Sequence, residues 1–265
     1  MGELTLWIQV ERRAEPDMPI KTFTLAEQPD REQDFDDLAD LSWPRFMRQR
    51  DALGLGARWP SLFTEWADYQ LVVVEGQQTL AVGHTIPISW DGTAADLPDS
   101  MAAILARAAD DTKSGRPPTA LSALAALVAP AHRGKGVSAI LLRAMQALAA
   151  TTRLPALLAP VRPTMKDRYP LAPMERYVRW TREDGGPIDP WLRTHWRLGA
   201  EVLRVIPRAM VIVGTVEEWE DWTEMRFPDS GEYVVPGALQ PVTIDRDQGE
   251  GRYEDPNVWM RHLVG

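Results

Sequence analysis

The amino-acid sequence predicts an α/β (α+β) fold, because strand-like and helix-like segments alternate through most of the chain. Residues 121–128 are an almost wholly apolar run that ends before Pro130, which is typical of a buried strand. From Val137 onward, apolar residues recur at helical spacing and predict an amphipathic helix directly after that strand. Two further apolar runs, joined by a short turn at Gly76, predict a hairpin earlier in the chain.

The chain in order begins with residues 1–19, whose short strand-like alternation predicts an N-terminal accessory segment. The elements predicted next are a strand at 20–26, helices at 34–52 and 59–69, the hairpin strands at 70–75 and 79–90, and a helix at 98–111. Pro44 is expected to split the first of these helices, because proline interrupts the helical hydrogen bonds.

Beyond the central helix, the pattern predicts a strand at 155–161, a short helix at 190–198 and a pair of strands at 200–213 broken near Pro207. Residues 20–214 are taken as one domain. Residues 215–265 are predicted as an acidic C-terminal extension packed on it. This extension either walls off one side of a ligand pocket or forms a homodimer surface, and the pattern does not separate the two.

Composition excludes several classes of protein. Of the 265 residues, 45% are apolar and 25% are charged, as is ordinary for a globular protein. No run approaches the ~18 apolar residues of a membrane span, and no secretion signal is visible. We therefore expect a cytoplasmic protein without a membrane partner. The absence of cysteine excludes disulfides, thiolate metal sites and a cysteine nucleophile.

The net charge of −9 is concentrated in one segment. Residues 216–256 contain 12 acids and 3 arginines, a balance of −9, so the rest of the chain is nearly neutral. A nucleic-acid-binding surface needs a basic face, so no nucleic-acid partner is expected. The acidic segment is either a solvated exterior or a lip that attracts a cationic amine.

The turn between the central strand and its helix is residues 133–138, with the sequence RGKGVS. Its glycines, Gly134 and Gly136, let the backbone turn tightly and come close to a ligand. The unpaired amides of the first helical turn, at the positive end of the helix dipole, favour an anion. The nucleotide-triphosphate loop and the dinucleotide fingerprint both require glycine spacings that this turn lacks.

This turn resembles the acyl-CoA site of the GNAT superfamily of N-acyltransferases. The superfamily motif Q/R-x-x-G-x-G/A follows a strand, and Arg133-x-x-Gly136-x-Ser138 matches it except at the last position. The order of elements predicted over residues 20–214 is also that of the superfamily, with an extra helix before the central strand. The resemblance implies a central mixed, mostly antiparallel sheet flanked by helices, with N-terminal and C-terminal additions.

The resemblance also implies an activity. A member of this superfamily transfers the acyl group of its co-substrate, acetyl-CoA or another acyl-CoA, directly to a small-molecule acceptor such as an amine. Amides of the central strand bond the pantetheine arm, and amides of the turn hold the pyrophosphate. By position these are Leu127 and Val128 for pantetheine, and Arg133, Gly134, Lys135, Gly136, Val137 and Ser138 for the pyrophosphate.

The leaving thiolate needs a proton, which many relatives supply from a tyrosine in a segment like F-Y-x-x-L-G-F. The matching segment here is residues 194–200, THWRLGA, so His195 takes the tyrosine's place. A histidine can donate a proton near neutral pH, which makes His195 the candidate general acid. The alternative is a packing histidine, with the proton supplied by water or by Tyr169 or Tyr177.

A general base is less evident. Relatives often use a glutamate on the central strand, but residues 121–128 contain only Ser122 as a polar side chain. His84, on the preceding strand, is the candidate base, unless it is a buried histidine with satisfied hydrogen bonds. Glu65 and Asp68, near the expected acceptor site, are further candidates.

The sequence is compatible with three functions. The first is acyl transfer to an amine. The second is a protein of the same fold that hydrolyses, decarboxylates or only senses acyl-CoA, since the usual acid and base are replaced. The third is a noncatalytic interaction module that uses the aromatic, acidic tail. No metal is expected, because the four histidines are widely spaced without an H-x-x-x-H pair. Basic residues within 162–182 either hold an anion or form a solvated loop.

Overall fold

The computed structural model describes residues 18–264, within which nine strands form one sheet. The strands are β1 (Ile20–Thr24), β2 (Gln70–Glu75), β3 (Gln78–Ile88), β4 (Ala120–Val128), β5 (Ala156–Val161), β6 (Glu201–Thr215), β7 (Gly231–Tyr233), β8 (Val242–Asp245) and β9 (Glu250–Leu263). The helices are α1 (Glu32–Ser42), α2 (Ser61–Thr64), α3 (Met101–Ser114), α4 (Val137–Thr151), α5 (Met174–Tyr177), α6 (Pro190–Arg197) and α7 (Val216–Thr223). Of the predicted accessory segment, residues 1–17 lie outside the described part of the chain.

The sheet is mixed and mostly antiparallel, as predicted. Its order is β1-β2-β3-β4-β5-β9-β8-β7, and β6 pairs with β9 on the other edge of that strand. Within residues 18–264 the pairs are antiparallel except that between β4 and β5. The apolar run that predicts the central strand forms β4, and its first five residues are buried. None of the helices in the described residues is long and apolar enough to cross a membrane.

The strands β4 and β5 separate soon after they begin. Their register pairs are Leu121 with Leu157 and Ser122 with Leu158, whereas β4 continues to Val128. The second half of β4 therefore diverges from its parallel neighbour. This leaves a gap in the middle of the sheet, bordered by the ends of β4 and β5.

Helices cover both faces of the sheet. On one face, Leu141 and Met145 of α4 share an apolar cluster with Met260 of β9. On the other, Ile104 of α3 shares a cluster with Trp259. Neighbouring residues of a strand point to opposite faces, so these two clusters lie on opposite sides of β9. We call these sides the α4 face and the α3 face.

Helix α4 packs closely against β3 at Gly83. A Cβ built at Gly83 lies 2.5 Å from Met145 Cε and 2.9 Å from Leu141 Cδ1. Real side-chain atoms do not approach that closely, because the repulsion is too strong. Glycine at this position therefore lets α4 lie deep on the sheet, and the turn that precedes α4 is held beside the gap.

Strand β6 differs from its prediction as a strand pair broken near Pro207. It is one strand, whose register with β9 changes between the pairs Ile206–Asn257 and Met210–Asp255. Three residues of β6 thus face one residue of β9. A proline has no N–H for the ladder, but it is accommodated in a bulge of this kind without ending the strand.

The segment after residue 214, predicted as an extension packed on the domain, contributes directly to the sheet. Strand β9 lies between β5 and β6, while α7, β7 and β8 are inserted between the long strands β6 and β9. The charged start of β9, residues 250–257, hides its strand character in the sequence. The helix predicted at 59–69 is also shorter, since only α2 and flanking 3₁₀ turns form there.

Candidate active site

A cavity of about 1490 Å³ opens at the gap between β4 and β5. The second half of β4, the end of β5, the turn before α4 and part of α6 line it. Met145 borders it from the α4 face, and Phe35 and Trp59 border it on the side of α1. The cavity therefore joins the two faces of the sheet through the gap.

The turn before α4 has the backbone that anion binding requires. Gly134 and Gly136 are left-handed, with φ of 76° and 83°, and a Cβ added at either would meet nothing within 4 Å. Glycine is therefore needed for conformation and not for space. Gly136 immediately precedes α4, a 15-residue helix whose first amides have no acceptor within the helix. Gly134, Val137 and Ser138 line the cavity, so the turn and the start of α4 border it.

The two basic side chains of the turn differ in their surroundings. Arg133 Nε donates to the Val128 carbonyl at 3.2 Å, and its Nη2 donates to Ser42 Oγ at 3.2 Å. Arg133 thus ties the turn to the end of β4 and to α1. Lys135 is exposed to solvent. The groups of the turn that are best placed for an anion in the cavity are its backbone amides.

The predicted pantetheine residues also border the cavity. Leu127 pairs with Val82 and Val128 with Ala81, so one edge of this part of β4 is occupied by β3. Successive backbone groups of a strand alternate between its two edges. One of these two residues therefore presents its amide and carbonyl to the gap.

His195 is held at the cavity by a second histidine. It lies on α6, whose N-terminus is capped by the Asp189 carboxylate, and its ring packs 4.4 Å from that of Trp191, centre to centre. His195 Nδ1 is 2.9 Å from His262 Nε2, and His262 Nδ1 is 3.2 Å from Gln146 Nε2 of α4. His195 therefore belongs to the α4 face, and its remaining nitrogen is Nε2.

The two histidines form a pair of neutral imidazoles. Burial, and the nearby ring of His262, lower the pKa of His195 well below its usual value, and burial also lowers the pKa of His262. When Gln146 donates to His262 Nδ1, the proton of His262 is on Nε2 and is donated to His195 Nδ1. His195 then carries its own proton on Nε2. In the other arrangement, His262 Nδ1–H donates to the Leu198 carbonyl at 3.4 Å and His195 Nε2 is unprotonated.

His84 lies on the α3 face in an aromatic cage. The rings of Phe35, Trp59 and Phe63 lie 4.8, 4.8 and 5.6 Å from its ring. Gln70 Nε2 donates to two backbone carbonyls, so its Oε1 is the acceptor for His84 Nδ1–H at 3.0 Å. The unprotonated nitrogen of His84 is therefore Nε2. Burial lowers the pKa of His84 to about 3, so the ring is neutral at pH 7.

Stability is expected to fall as the pH drops below 6.5. The pKa of buried His84 is about 3 in the folded chain and 6.5 ordinarily, so the unfolded chain binds the proton more readily. The stabilisation is complete above the unfolded pKa and declines between that pKa and the folded one, by about 1.4 kcal/mol per pH unit. Urea denaturation at several pH values measures this slope. His84→Gln should reduce this slope without abolishing it, because burial also lowers the pKa of His195 and His262. An unchanged slope would contradict the assignment.

Several residues that line the cavity carry no signal in the sequence. Asp51 and Asn257 are buried and line the cavity. Arg162, predicted only as part of a basic stretch, pairs with Asp255 at 2.9 Å and lies over the Trp43 ring. No local motif marks these residues, because tertiary contacts alone bring them together.

Other candidates take structural roles. Tyr177 is buried and donates to Asp189 Oδ2 at 2.9 Å, and burial together with that carboxylate raises its pKa. Lys166 is buried and donates to the Tyr169 and Leu239 carbonyls. Neither side chain borders the cavity, and neither do Glu65 and Asp68. Within residues 18–264, no group of three or more metal-ligating side chains is present.

Comparison with known proteins bears on the class of this protein. No family model matches the sequence. The chain is 32% identical over 252 residues to the arginine N-acetyltransferase avaD of Aspergillus versicolor, and the match covers 84% of this chain and 85% of that protein.

The fold is similar to two solved structures. The loading GNATL domain of CurA from Lyngbya majuscula superimposes with a TM-score of 0.59 at 14% identity, covering 93% of this chain and 97% of that domain. The GphF GNAT-like decarboxylase in complex with isobutyryl-CoA superimposes with a TM-score of 0.56 at 17% identity, covering 93% of this chain and 100% of that chain. The chain belongs to the GNAT superfamily, as its turn predicts. Within that superfamily it is an acyl-CoA-dependent N-acyltransferase.

Proposed function

We propose that this protein transfers the acetyl group of acetyl-CoA to a nitrogen of arginine. The observation that carries the proposal is the 32% identity to an arginine N-acetyltransferase over 84% of the chain. The cavity supports it, because it joins a turn suited to a diphosphate on one face with a polar, buried region on the other. Both substrates can therefore meet at the gap between β4 and β5.

The residues present fit acetyl-CoA. The amides of Gly134 to Ser138 hold the diphosphate at the start of α4, where the helix dipole adds to their attraction. Whichever of Leu127 and Val128 has its backbone toward the gap bonds an amide group of pantetheine. When bound, acetyl-CoA supplies a thioester carbonyl that an amine can attack and a thiolate that needs a proton.

His84 is the proposed acceptor of the amine's proton. It lies on the α3 face with Nδ1–H fixed to Gln70, which leaves the lone pair of Nε2 for the substrate. A nitrogen becomes far more acidic once it is bonded to a carbonyl carbon. A base of low pKa can therefore take its proton at that stage and remains neutral beforehand.

His195 is the proposed donor to the thiolate. It lies on the α4 face, with its Nδ1 hydrogen-bonded to His262. In the arrangement with His195 protonated on Nε2, the ring gives that proton to the thiolate and is reprotonated at Nε2 from solvent that reaches the cavity. His262 in turn is hydrogen-bonded to Gln146 and is close to the Leu198 carbonyl. His262 thus positions His195 and, through the hydrogen bond at Nδ1, keeps the proton of His195 on Nε2.

Release of free thiol from acetyl-CoA is expected only when an acceptor is present, and arginine should be acetylated. Thiol release is measured with arginine, agmatine, lysine and no acceptor, with longer acyl-CoAs in parallel, and mass spectrometry identifies the product. Thiol release without acceptor would instead indicate hydrolysis. Failure of CoA to bind in calorimetry would exclude every acyl-CoA-dependent function.

A further inference from the structure

The α3 face of the cavity contains a buried carboxylate without a cationic partner. Asp51 is only 5% exposed and lines the cavity. Its Oδ1 accepts from the Val211 amide at 2.7 Å and its Oδ2 from the Leu55 amide at 3.1 Å. None of the ion pairs formed within residues 18–264 includes it. Each carboxylate oxygen retains a lone pair for another donor.

The other buried acid of the cavity is already neutralised. Asp255 accepts from Arg162 Nε at 2.9 Å and from the Tyr253 hydroxyl at 2.6 Å. Arg162 in turn donates through Nη2 to the Gly237 carbonyl at 2.8 Å. The Asp255–Arg162 pair is balanced in charge. Asp51, in contrast, has no ion-pair partner within the described residues. A buried carboxylate is costly unless it is paired, so a cation entering the cavity would be stabilised beside it.

The same cavity is lined by a side chain with an unpartnered acceptor atom. Asn257 is 5% exposed, lines the cavity and donates through Nδ2 to the Pro160 carbonyl at 3.3 Å. Its Oδ1 has no hydrogen-bond partner. Asn257 pairs with Ile206 at one end of the β6 bulge, Asp51 is bonded to Val211 just past the other end, and both side chains belong to residues that line the same cavity.

We propose that Asp51 and Asn257 form the subsite for the cationic end of the acceptor, and that this cation is a guanidinium. The carboxylate retains one lone pair on each oxygen, and a planar guanidinium can donate to both at once. Further N–H groups of the same ion remain for Asn257 Oδ1. This inference rests on the proposed function only in taking its occupant to be the acceptor of that reaction.

The test separates charge from shape by comparing arginine with citrulline, its neutral isostere. Calorimetry on the CoA-bound protein measures the binding of both, so the result does not depend on turnover. Wild type should bind arginine about 100-fold more tightly than citrulline. Asp51→Asn should weaken arginine about 100-fold and citrulline less than threefold. Asn257→Leu, which removes the unpartnered oxygen, should weaken arginine about tenfold.

Asp111→Asn is the matched control. Asp111 is a buried carboxylate that also accepts from a backbone amide, that of Ser89, and it does not line the cavity. Its variant should bind arginine like wild type. CoA affinity and melting temperature are measured for each variant, because Asp51 also holds the 51–55 segment to β6.

Equal losses for arginine and citrulline in Asp51→Asn would overturn the proposal, since Asp51 would then only hold the backbone. Should Asp51→Asn fail to fold, Asn257→Leu decides the question, because unchanged arginine binding in that variant would overturn the subsite. A wild type that acetylates amines but binds arginine and citrulline alike overturns this inference alone. Charge-dependent binding without any acetylated product supports the subsite and contradicts the proposed reaction.

Discussion

Gly136→Asp is expected to raise the KM for acetyl-CoA about 100-fold, with a much smaller change in kcat at saturation. Asp tolerates a left-handed backbone better than most side chains, so the turn itself should persist. Gly136 directly precedes α4, so the added carboxylate would lie close to the first-turn amides that are proposed to hold the diphosphate. Repulsion between like charges a few ångströms apart at a protein surface costs about 2–3 kcal/mol, and this energy corresponds to the expected factor. Initial rates at varied acetyl-CoA, together with calorimetry of CoA binding, measure the effect.

Gly115→Asp is the matched control for this change. Gly115 follows α3, is exposed, has a φ of 67° and has open space around an added Cβ, so it bears the same backbone strain. Neither Gly115 nor the residues beside it line the cavity, whereas Val137, next to Gly136, does. The Gly115→Asp variant should keep the KM of wild type. A Gly136→Asp protein that binds CoA normally would mean that the turn before α4 does not hold the diphosphate.

His195→Phe is expected to lower kcat about 100-fold or more, while the affinity for CoA changes little. General acid catalysis by a positioned side chain is typically worth 10²–10⁴-fold, and water replaces it poorly in a buried site. Steady-state kinetics at saturating substrates measure kcat, and calorimetry measures CoA binding. An unchanged kcat would remove His195 from the mechanism.

His195→Tyr and His262→Leu refine this test. Tyrosine is the proton donor at this position in many relatives, so His195→Tyr should retain more activity than the Phe variant of nearly equal size. His262→Leu keeps His195 but removes the hydrogen bond at its Nδ1. We expect a smaller loss in kcat, about tenfold, with an altered pH profile. If Phe and Tyr variants lose the same activity, a packing role explains the loss.

Local patterns predict the parts of this fold that depend on neighbouring residues. The apolar run at 121–128 gives β4 to within one residue, and the helical spacing after Val137 gives α4. The turn between them is equally local, so its glycines are identifiable before the structure is known. The continuous strand β6 cannot be predicted from local patterns, because a proline such as Pro207 normally marks the end of a strand. Its bulge depends on pairing with β9.

Long-range contacts determine what the sequence does not reveal. Asp51 is held in place by a hydrogen bond from the amide of Val211, which lies 160 residues further along the chain. The start of β9 carries charged residues that are unusual in a buried strand. Asp255 is accommodated there because it pairs with the distant Arg162. His195 is identifiable by position within its family, but its link to His262 joins residues 67 apart. These are contacts that no spacing rule connects.

The position of β9 between β5 and β6 has a consequence for how the chain folds. Its pairs with β5 join residues about 100 positions apart, such as Val161 and Val258. Loop closure over such distances carries an entropic cost before the contacts repay it, so high contact order slows folding. Until β9 docks, the edges of β5 and β6 are unsatisfied and open to pairing with other chains. A nascent or destabilised molecule is therefore most vulnerable to aggregation at the middle of its own sheet.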